Sequence, residues 1–196
     1  MINGKDLIEY IIDHFGKVNA KQLQKIAYLT ELEFMKKHGE RLSNLESVKL
    51  FYGPYSFSIK EIEEEDENIQ VTTDSDYIIL KNEKVPIYIY KQSQLRNKKD
   101  FDLDPSLKEE LSDIFKKFKG KTGKELEEIA DVTEPFLDVE EMNEKIDLDG
   151  YVEYYKALLS GKFWENAIKT REDNEKKGIY GKTVIKDKSE LKAIFS

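Results

Sequence analysis

The side chains that most often carry catalytic chemistry are scarce in this sequence of 196 residues. It contains two histidines, His14 and His38, and no cysteine. The lack of cysteine excludes disulfides, thiolate metal ligands and thiol nucleophiles. Neither histidine has the H-E-x-x-H spacing of a zinc protease or the serine and acid partners of a catalytic triad, and there is no glycine-rich phosphate loop. We therefore predict no catalytic residue and expect a protein that is not an enzyme.

Acidic residues provide candidate metal ligands at two places. The segment Asp147-Leu148-Asp149-Gly150 is similar to the first half of a calcium loop, but the later acidic positions of such a loop, including the glutamate at position twelve, are out of register. Asp102 and Asp104 are better explained as a turn residue and a helix cap. We therefore expect neither a metal ion nor another cofactor.

The composition is that of an acidic globular protein. There are 40 acidic and 32 basic side chains, the formal net charge is −8, and 39% of the residues are hydrophobic. Such a negative charge makes nucleic acid an unfavourable partner, because phosphates are repelled. No apolar run approaches the roughly 20 residues that cross a bilayer, and the first residues lack the order of a secretory signal. We expect a cytoplasmic protein that does not bind membranes.

The hydrophobic periodicity predicts a mixed first half. Apolar residues at helical spacing predict two helices, of which the second is expected to be the central buried helix, and alternating β-branched and aromatic residues predict strands. A Gly-Pro pair predicts a break before a third helix. The predicted elements are a helix at 5–15, a second helix that Asn19 caps and that ends before Gly39, a strand at 47–52, a helix at 55–65, and strands at 68–72, 76–81 and 85–91.

The second half is predicted to be helical. A helix begins at Asp104-Pro105, and Thr122 with Glu125 forms the capping box of the next helix, which Pro135 ends. A further helix is predicted at 151–163. The segment 92–102 shows no sustained periodicity and is a candidate linker between the two halves.

These elements predict an α+β fold, mainly helical, with a small antiparallel β-sheet. We predict a single domain at 1–177, divided into a winged-helix-like half at 1–91 and a helical half at 103–177 that share one core. The remaining residues, 178–196, are predicted to form a C-terminal tail. The sequence leaves the oligomeric state open.

Three segments, in order, are similar to a known family pattern. Residues 23–29 read L-Q-K-I-A-Y-L, residues 52–56 read Y-G-P-Y-S, and residues 122–136 begin T-G-K-E-L and end T-E-P-F. They resemble the L-Q-K-L-x-Y helix, the Y-G-P turn between a strand and a helix, and the eLselTH…pW helix and its exit in the Panacea domain, which occurs in SocA-like antitoxins and GepA-like phage-associated proteins. The Y-G-P-Y-S segment is also similar to the uncharacterised YwgA-like group. The sequence departs from the family at Asp131, where histidine is common, and at Phe136, where tryptophan is usual.

The resemblance implies a role without catalysis. A protein of this kind neutralises a cognate toxin by direct contact, or acts as an adaptor that presents a partner for proteolysis. The expected partner is therefore a protein, namely the cognate toxin.

Five residues are candidates for contact with that partner. Lys25 and Tyr28 lie three positions apart on the second helix; in the alternative interpretation this helix only builds the core and Lys25 extends from its edge. Tyr52, Tyr55 and Phe57 surround the Gly-Pro turn, and they either anchor a partner or close the core.

The order of the elements also suggests a winged-helix transcriptional regulator that binds DNA. In such a fold the third helix would enter the major groove. Here that helix carries Lys60 and then the acidic run Glu61–Glu67, which phosphates would repel. We therefore place the DNA-binding regulator second, after the antitoxin-like protein.

Overall fold

The computed structural model describes residues 1–65, 69–80, 83–92, 103–161 and 168–169. In chain order the described elements are α1 (Gly4–Phe15), β1 (Val18–Asn19), α2 (Ala20–His38), β2 (Val48–Leu50), β3 (Gly53–Tyr55), α3 (Phe57–Glu65), β4 (Ile69–Leu80), β5 (Glu83–Gln92), α4 (Pro105–Lys116), α5 (Gly123–Asp131), α6 (Glu134–Leu137) and α7 (Leu148–Leu159). The fold is α+β and mainly helical, which confirms the predicted class. The candidate linker, from residue 93 onwards, and the predicted tail at 178–196 lie outside the described residues.

Helix α2 is the central buried helix, as predicted. Asn19 and Gln22 form a capping box at its start, and Gly39 ends it in the left-handed conformation. Buried residues follow one another from Leu23 to Leu32, because α1, β3, α4, α5 and α7 all pack against this helix. Apolar side chains from both halves of the chain form one buried cluster, in which Leu7 of α1 and Phe115 of α4 take part.

The strands form two separate antiparallel sheets. Strands β1, β5 and β4 make a three-stranded sheet in that order, whereas β2 and β3 form a hairpin of their own. The predicted strands at 68–72 and 76–81 are one strand, β4, because it stays paired with β5 on both sides of an irregularity between Thr73 and Tyr77. A bulge of this kind absorbs extra residues without ending the strand.

The hairpin corrects the prediction of a single strand at 47–52. Strand β2 ends at Leu50, which pairs with Gly53, so that Phe51 and Tyr52 form the turn. Neither turn residue has a positive φ, and Gly53 follows them with a φ of 85°. A turn without positive φ fits the twist of a hairpin when a left-handed residue follows it, and glycine adopts that conformation without strain.

In the second half, the capping box of Thr122 and Glu125 is confirmed, and Asp104 caps α4 as predicted. Pro135 does not end α5, which stops at Asp131; it lies in the first turn of α6, where the missing N–H of proline is not needed. The helix predicted at 151–163 starts earlier, at Leu148, because Asp147 caps it by accepting a hydrogen bond from the Gly150 N–H.

Candidate functional site

The site is built around the β2–β3 hairpin, and Gln24 of α2 fixes its far end. The amide group of Gln24 accepts a hydrogen bond from the Ser56 N–H at 2.7 Å and donates one to the Ser56 carbonyl at 3.1 Å. Both residues are buried. Gln24 thus pairs with Ser56 as a neighbouring strand would, and it satisfies two backbone groups that would otherwise be buried without partners.

Lys25, the next residue on α2, holds the middle of the hairpin. Its side chain is buried, with only 3% of the residue exposed, and its Nζ donates a hydrogen bond to the Pro54 carbonyl at 2.7 Å. Burial lowers the pKa of Lys25 to about 8, although the nearby carboxylates of Glu127 and Asp131 act in the opposite direction. A lysine in this place positions the hairpin backbone, at the cost of burying an ammonium group.

Gly53 allows Lys25 and α5 to approach the hairpin closely. A Cβ atom at Gly53 would lie 2.5 Å from Asp131 Oδ1 and 3.0 Å from Lys25 Nζ. Asp131 Oδ1 is itself buried and has no hydrogen-bond partner among the described residues. Burial raises the pKa of Asp131, the neighbouring Glu127 raises it further, and Lys25 opposes the change. The position therefore requires a glycine for space as well as for its positive φ.

Tyr28 joins α2 to the end of α5. Its hydroxyl lies 2.8 Å from Thr133 Oγ1, and Thr133 in turn donates to the Ala130 carbonyl at 2.7 Å. Because the Thr133 hydrogen is used in that bond, Tyr28 is the donor to Thr133. Burial raises the pKa of Tyr28, so its hydroxyl stays protonated across the physiological range.

The turn of the hairpin projects two aromatic side chains into solvent. Phe51 is 78% exposed and Tyr52 is 50% exposed. Their rings meet edge to face, with centroids 5.1 Å apart and an interplanar angle of 83°. Lys21 Nζ lies 5.5 Å from the centroid of the Tyr52 ring and also pairs with Glu127 of α5. These contacts orient the Tyr52 ring without covering it.

A second aromatic pair follows the hairpin. The rings of Tyr55 and Phe57 meet nearly edge to face with centroids 5.2 Å apart. Tyr55 is half-buried, whereas Phe57, the first residue of α3, is exposed. The hairpin and the start of α3 thus present aromatic surface on both sides of Pro54.

The structure separates the five predicted contact residues into two groups. Tyr52 and Phe57 are exposed and Tyr55 is partly so, whereas Lys25 is buried against the hairpin and Tyr28 is buried between α2 and the end of α5. Lys25 and Tyr28 are therefore placed to support the surface from below, and they do not form it.

Sequence reasoning missed three residues of this site. Phe51 was assigned to a strand, although its place directly before Tyr52-Gly53 is typical of a turn. Gln24 and Thr133 are polar residues whose partners lie far away in the chain: Gln24 binds Ser56, and Thr133 binds Tyr28, 105 positions away. For Gln24, the signal in the sequence was a polar residue between apolar ones on a helix expected to be buried.

The buried residues of the site support the hairpin, and its exposed residues form a surface. A cavity of about 10 Å³ beside Gln24 and Tyr28 is too small for a substrate. In the described ranges no group of three or more His, Cys, Asp or Glu side chains is arranged to hold a metal ion. The helices within those ranges are also too short or too polar to cross a membrane.

A comparison with known families supplies the context for this arrangement. The family described as "Antitoxin SocA-like, Panacea domain" matches residues 23–135, which is more than half of the chain. The matched region begins one residue before Gln24 and ends two residues after Thr133, so it encloses the contacts of Gln24, Lys25 and Tyr28 described above, whereas Lys21 lies just outside it. Searches of curated proteins and of solved structures gave no match.

Proposed function

The chain belongs to the SocA-like Panacea family of antitoxins, and we propose that it is a non-catalytic protein-interaction module that binds a cognate toxin through its aromatic hairpin. Binding neutralises the toxin directly or presents it for proteolysis. Both routes begin with the same step, the docking of a protein on the surface formed by Phe51, Tyr52, Tyr55 and Phe57. We call these four residues the aromatic surface.

The observation that carries the proposal is the contrast between the hairpin's buried supports and its exposed turn. Gln24 and Lys25 of α2 hold the backbone of the hairpin by buried hydrogen bonds, and Gly53 leaves the space that this close approach needs. The same hairpin leaves the rings of Phe51 and Tyr52 in water. Large exposed aromatic side chains dominate the binding energy of many protein interfaces, because they bury much apolar area with few rotatable bonds.

The buried supports also reduce the cost of binding. A loop that must become ordered on contact loses conformational entropy, and this loss weakens the complex. The hairpin is held in one conformation by hydrogen bonds from α2 to both Pro54 and Ser56. In this proposal Lys25 and Tyr28 act as positioning residues, and Tyr52, Tyr55 and Phe57 make the contacts.

The DNA-binding alternative has no observation in its favour. The nine residues of α3 contain one base, Lys60, and four glutamates. A helix with this charge would be repelled from the phosphates on either side of the major groove. We therefore retain the protein-binding function alone.

The proposal is tested by rescue of growth. The product of the reading frame next to this chain's own is expressed in a heterologous bacterium, with and without the full-length chain. We expect expression of that product to arrest growth and co-expression of the chain to restore it. The double variant Phe51→Ala/Tyr52→Ala should lose the rescue, since interface anchors of this kind each contribute about 2 kcal/mol or more.

The matched control is Leu159→Ala, which truncates an equally exposed apolar residue near the end of α7. It should rescue growth as the wild type does. The proposal is wrong if the wild type does not rescue growth, or if the hairpin variant, shown to be folded by circular dichroism, rescues as well as the wild type.

The two routes to neutralisation differ in the fate of the toxin. Direct neutralisation leaves the toxin at a constant level in a stable complex, whereas an adaptor lowers its level only in cells that contain the protease. Immunoblotting after synthesis is stopped, in strains with and without the major cytoplasmic proteases, separates the two outcomes.

A further inference from the structure

A group of exposed apolar side chains lies between α5 and α7. Val132 is 70% exposed, Leu137 58% and Met142 51%. They follow α5, end α6 and lie in the loop between α6 and α7, respectively. Monomeric proteins seldom place several large apolar side chains in water on neighbouring segments unless the segments bind a partner.

Contacts of Lys49 in β2 fasten these segments to the hairpin. The Lys49 N–H donates to the Glu144 carbonyl at 2.8 Å, and the Asn143 N–H donates to the Lys49 carbonyl at 2.8 Å. The Lys49 side chain crosses to α6 and its following loop, where Nζ donates to the Val139 carbonyl at 2.6 Å and lies 4.8 Å from the centroid of the Phe136 ring. The loop after α6 is thus held beside β2 by backbone hydrogen bonds.

Contacts of Asp131 and Thr133 hold the end of α5 beside the hairpin. Asp131 lies against Gly53, as described above, and Val132 is the next residue. Thr133 is bound by Tyr28 of α2. Phe51 lies in the turn of the hairpin, whereas Val132, Leu137 and Met142 lie on segments that contact the hairpin or its supports. We call these four residues the apolar strip.

The border of the apolar strip is strongly acidic. Residues 138–144 read D-V-E-E-M-N-E, which gives four carboxylates and no basic side chain. Glu140, Glu141 and Glu144 are exposed, and in the described part of the chain none of the three forms an ion pair. The ammonium group of Lys49 is directed to the Val139 carbonyl. The charges of Lys49 and Lys145 offset only part of these four carboxylates, and Lys145 also pairs with Glu46, so the border keeps an excess of negative charge.

We propose that the apolar strip and its acidic border dock a basic protein surface, which places an apolar side chain on the strip and lysine or arginine side chains around it. This inference rests on the proposed function and names the chemistry of the partner. Opposite charges at the rim of an interface speed association and reject partners of the wrong charge, whereas the apolar centre supplies most of the affinity. A nucleic acid would meet the same carboxylates and be repelled.

The first test uses a defined peptide and the full-length chain. The peptide has 16 residues, in four repeats of Lys-Lys-Trp-Lys, and its binding is followed by amide chemical shifts of the labelled protein. We expect the largest shifts at Phe51, Val132 and residues 137–144. A peptide with glutamate in place of lysine should not bind. Shifts spread evenly over all acidic surfaces, or strongest at Glu61 of α3, would overturn the inference.

The second test uses the toxin identified by the rescue experiment. Glu140→Lys/Glu141→Lys reverses two border charges, and Glu109→Lys/Asp113→Lys makes the same change in net charge on α4. The control site lies on α4, where neighbouring Glu110 contacts Lys37 and His38 at the end of α2. We expect the border variant to slow association about tenfold at low salt, with the difference shrinking at high salt, and the control to change it less than about twofold.

The outcomes separate this inference from the proposed function. If the wild type binds and neutralises the toxin but both charge variants associate at the same rate, the basic-partner inference is wrong and the proposed function stands. If the wild type does not neutralise the toxin, the proposed function itself fails. A faster dissociation of Leu137→Ala/Met142→Ala, compared with Leu159→Ala, would support the apolar part of the surface.

Discussion

Replacing Lys25 with methionine measures the cost of burying its ammonium group. The folded chain lowers the pKa of Lys25 to about 8 from its ordinary 10.5, because the side chain is enclosed by α2, α5 and the hairpin. Between these two values the unfolded chain binds more protons than the folded chain, so the stability of the wild type rises as the pH rises. Below pH 8 Lys25 is protonated in both states, so the wild type loses the full free energy that burial of the ammonium group costs.

The size of the effect follows from the two pKa values. From pH 7 to 9.5 the free energy of unfolding of the wild type should rise by about 2 kcal/mol relative to Lys25→Met, at about 1.4 kcal/mol for each unit of pKa difference. Lys25→Met also loses the hydrogen bond to the Pro54 carbonyl. This loss changes the free energy of unfolding of the variant by the same amount at every pH, so it does not alter the slope against pH. The limit of pH 9.5 avoids most of the ionisation of tyrosines in the unfolded chain.

Urea denaturation at half-unit steps of pH measures both curves. Lys36→Met, which removes an exposed lysine near the end of the same helix, is the matched control and should follow the wild type. Parallel curves for the wild type and Lys25→Met would refute the reasoning, because they would mean that Lys25 remains charged and hydrated in the folded protein.

Two further substitutions test buried contacts, one in the site and one between α2 and the segment that follows it. Gly53→Ala should lower the free energy of unfolding by more than about 2 kcal/mol, because the new Cβ would clash with Asp131 and alanine is strained at a positive φ. Gly120 also has a positive φ but no atom near its Cβ position, so Gly120→Ala should lower the free energy of unfolding by only about 1 kcal/mol. Equal losses for the two variants in urea denaturation would contradict the steric argument. Glu31→Gln should cost about 3 kcal/mol, because the buried Glu31 carboxylate accepts hydrogen bonds from two backbone N–H groups, a serine hydroxyl and a guanidinium. The exposed Glu153→Gln should cost less than about 0.5 kcal/mol, and a loss as large as that of Glu31→Gln would show that burial does not set the cost.

The local signals in the sequence were sufficient for most of the fold. Helix caps at Asn19, Asp104 and Thr122 were predicted and found, because a cap depends on residues within one turn of each other. The apolar periodicity of α2 likewise predicted that this helix would be central. Errors arose where a distant partner decides the outcome, as when pairing with β5 carries β4 through its irregularity.

The site depends more heavily on distant partners, and less of it was predictable. The pattern predicted a break at Gly53 and Pro54, since glycine and proline act through their own backbone geometry. Both residues instead lie in β3, paired with Leu50 and Lys49, and the turn comes just before them. The pattern did not show that Lys25 is buried, because its partners are the Pro54 carbonyl, 29 positions away, and the enclosure provided by α5. A lysine on a helix is exposed in most proteins, so burial of Lys25 can be inferred only when the hairpin is seen against it.

The separation of support from contact has a consequence for partner choice. Substitutions at exposed positions such as Phe51 and Met142 change the free energy of unfolding by only about 0.5 kcal/mol in most proteins, whereas changes to buried polar groups such as Gln24 or Lys25 leave unpaired atoms and cost several times more. Under the proposed function, this surface can therefore exchange the side chains that meet a partner while the backbone of the hairpin stays fixed. A scaffold of this kind can be fitted to a different toxin by replacing a few exposed residues, provided that the contacts from α2 and α5 to the hairpin are kept.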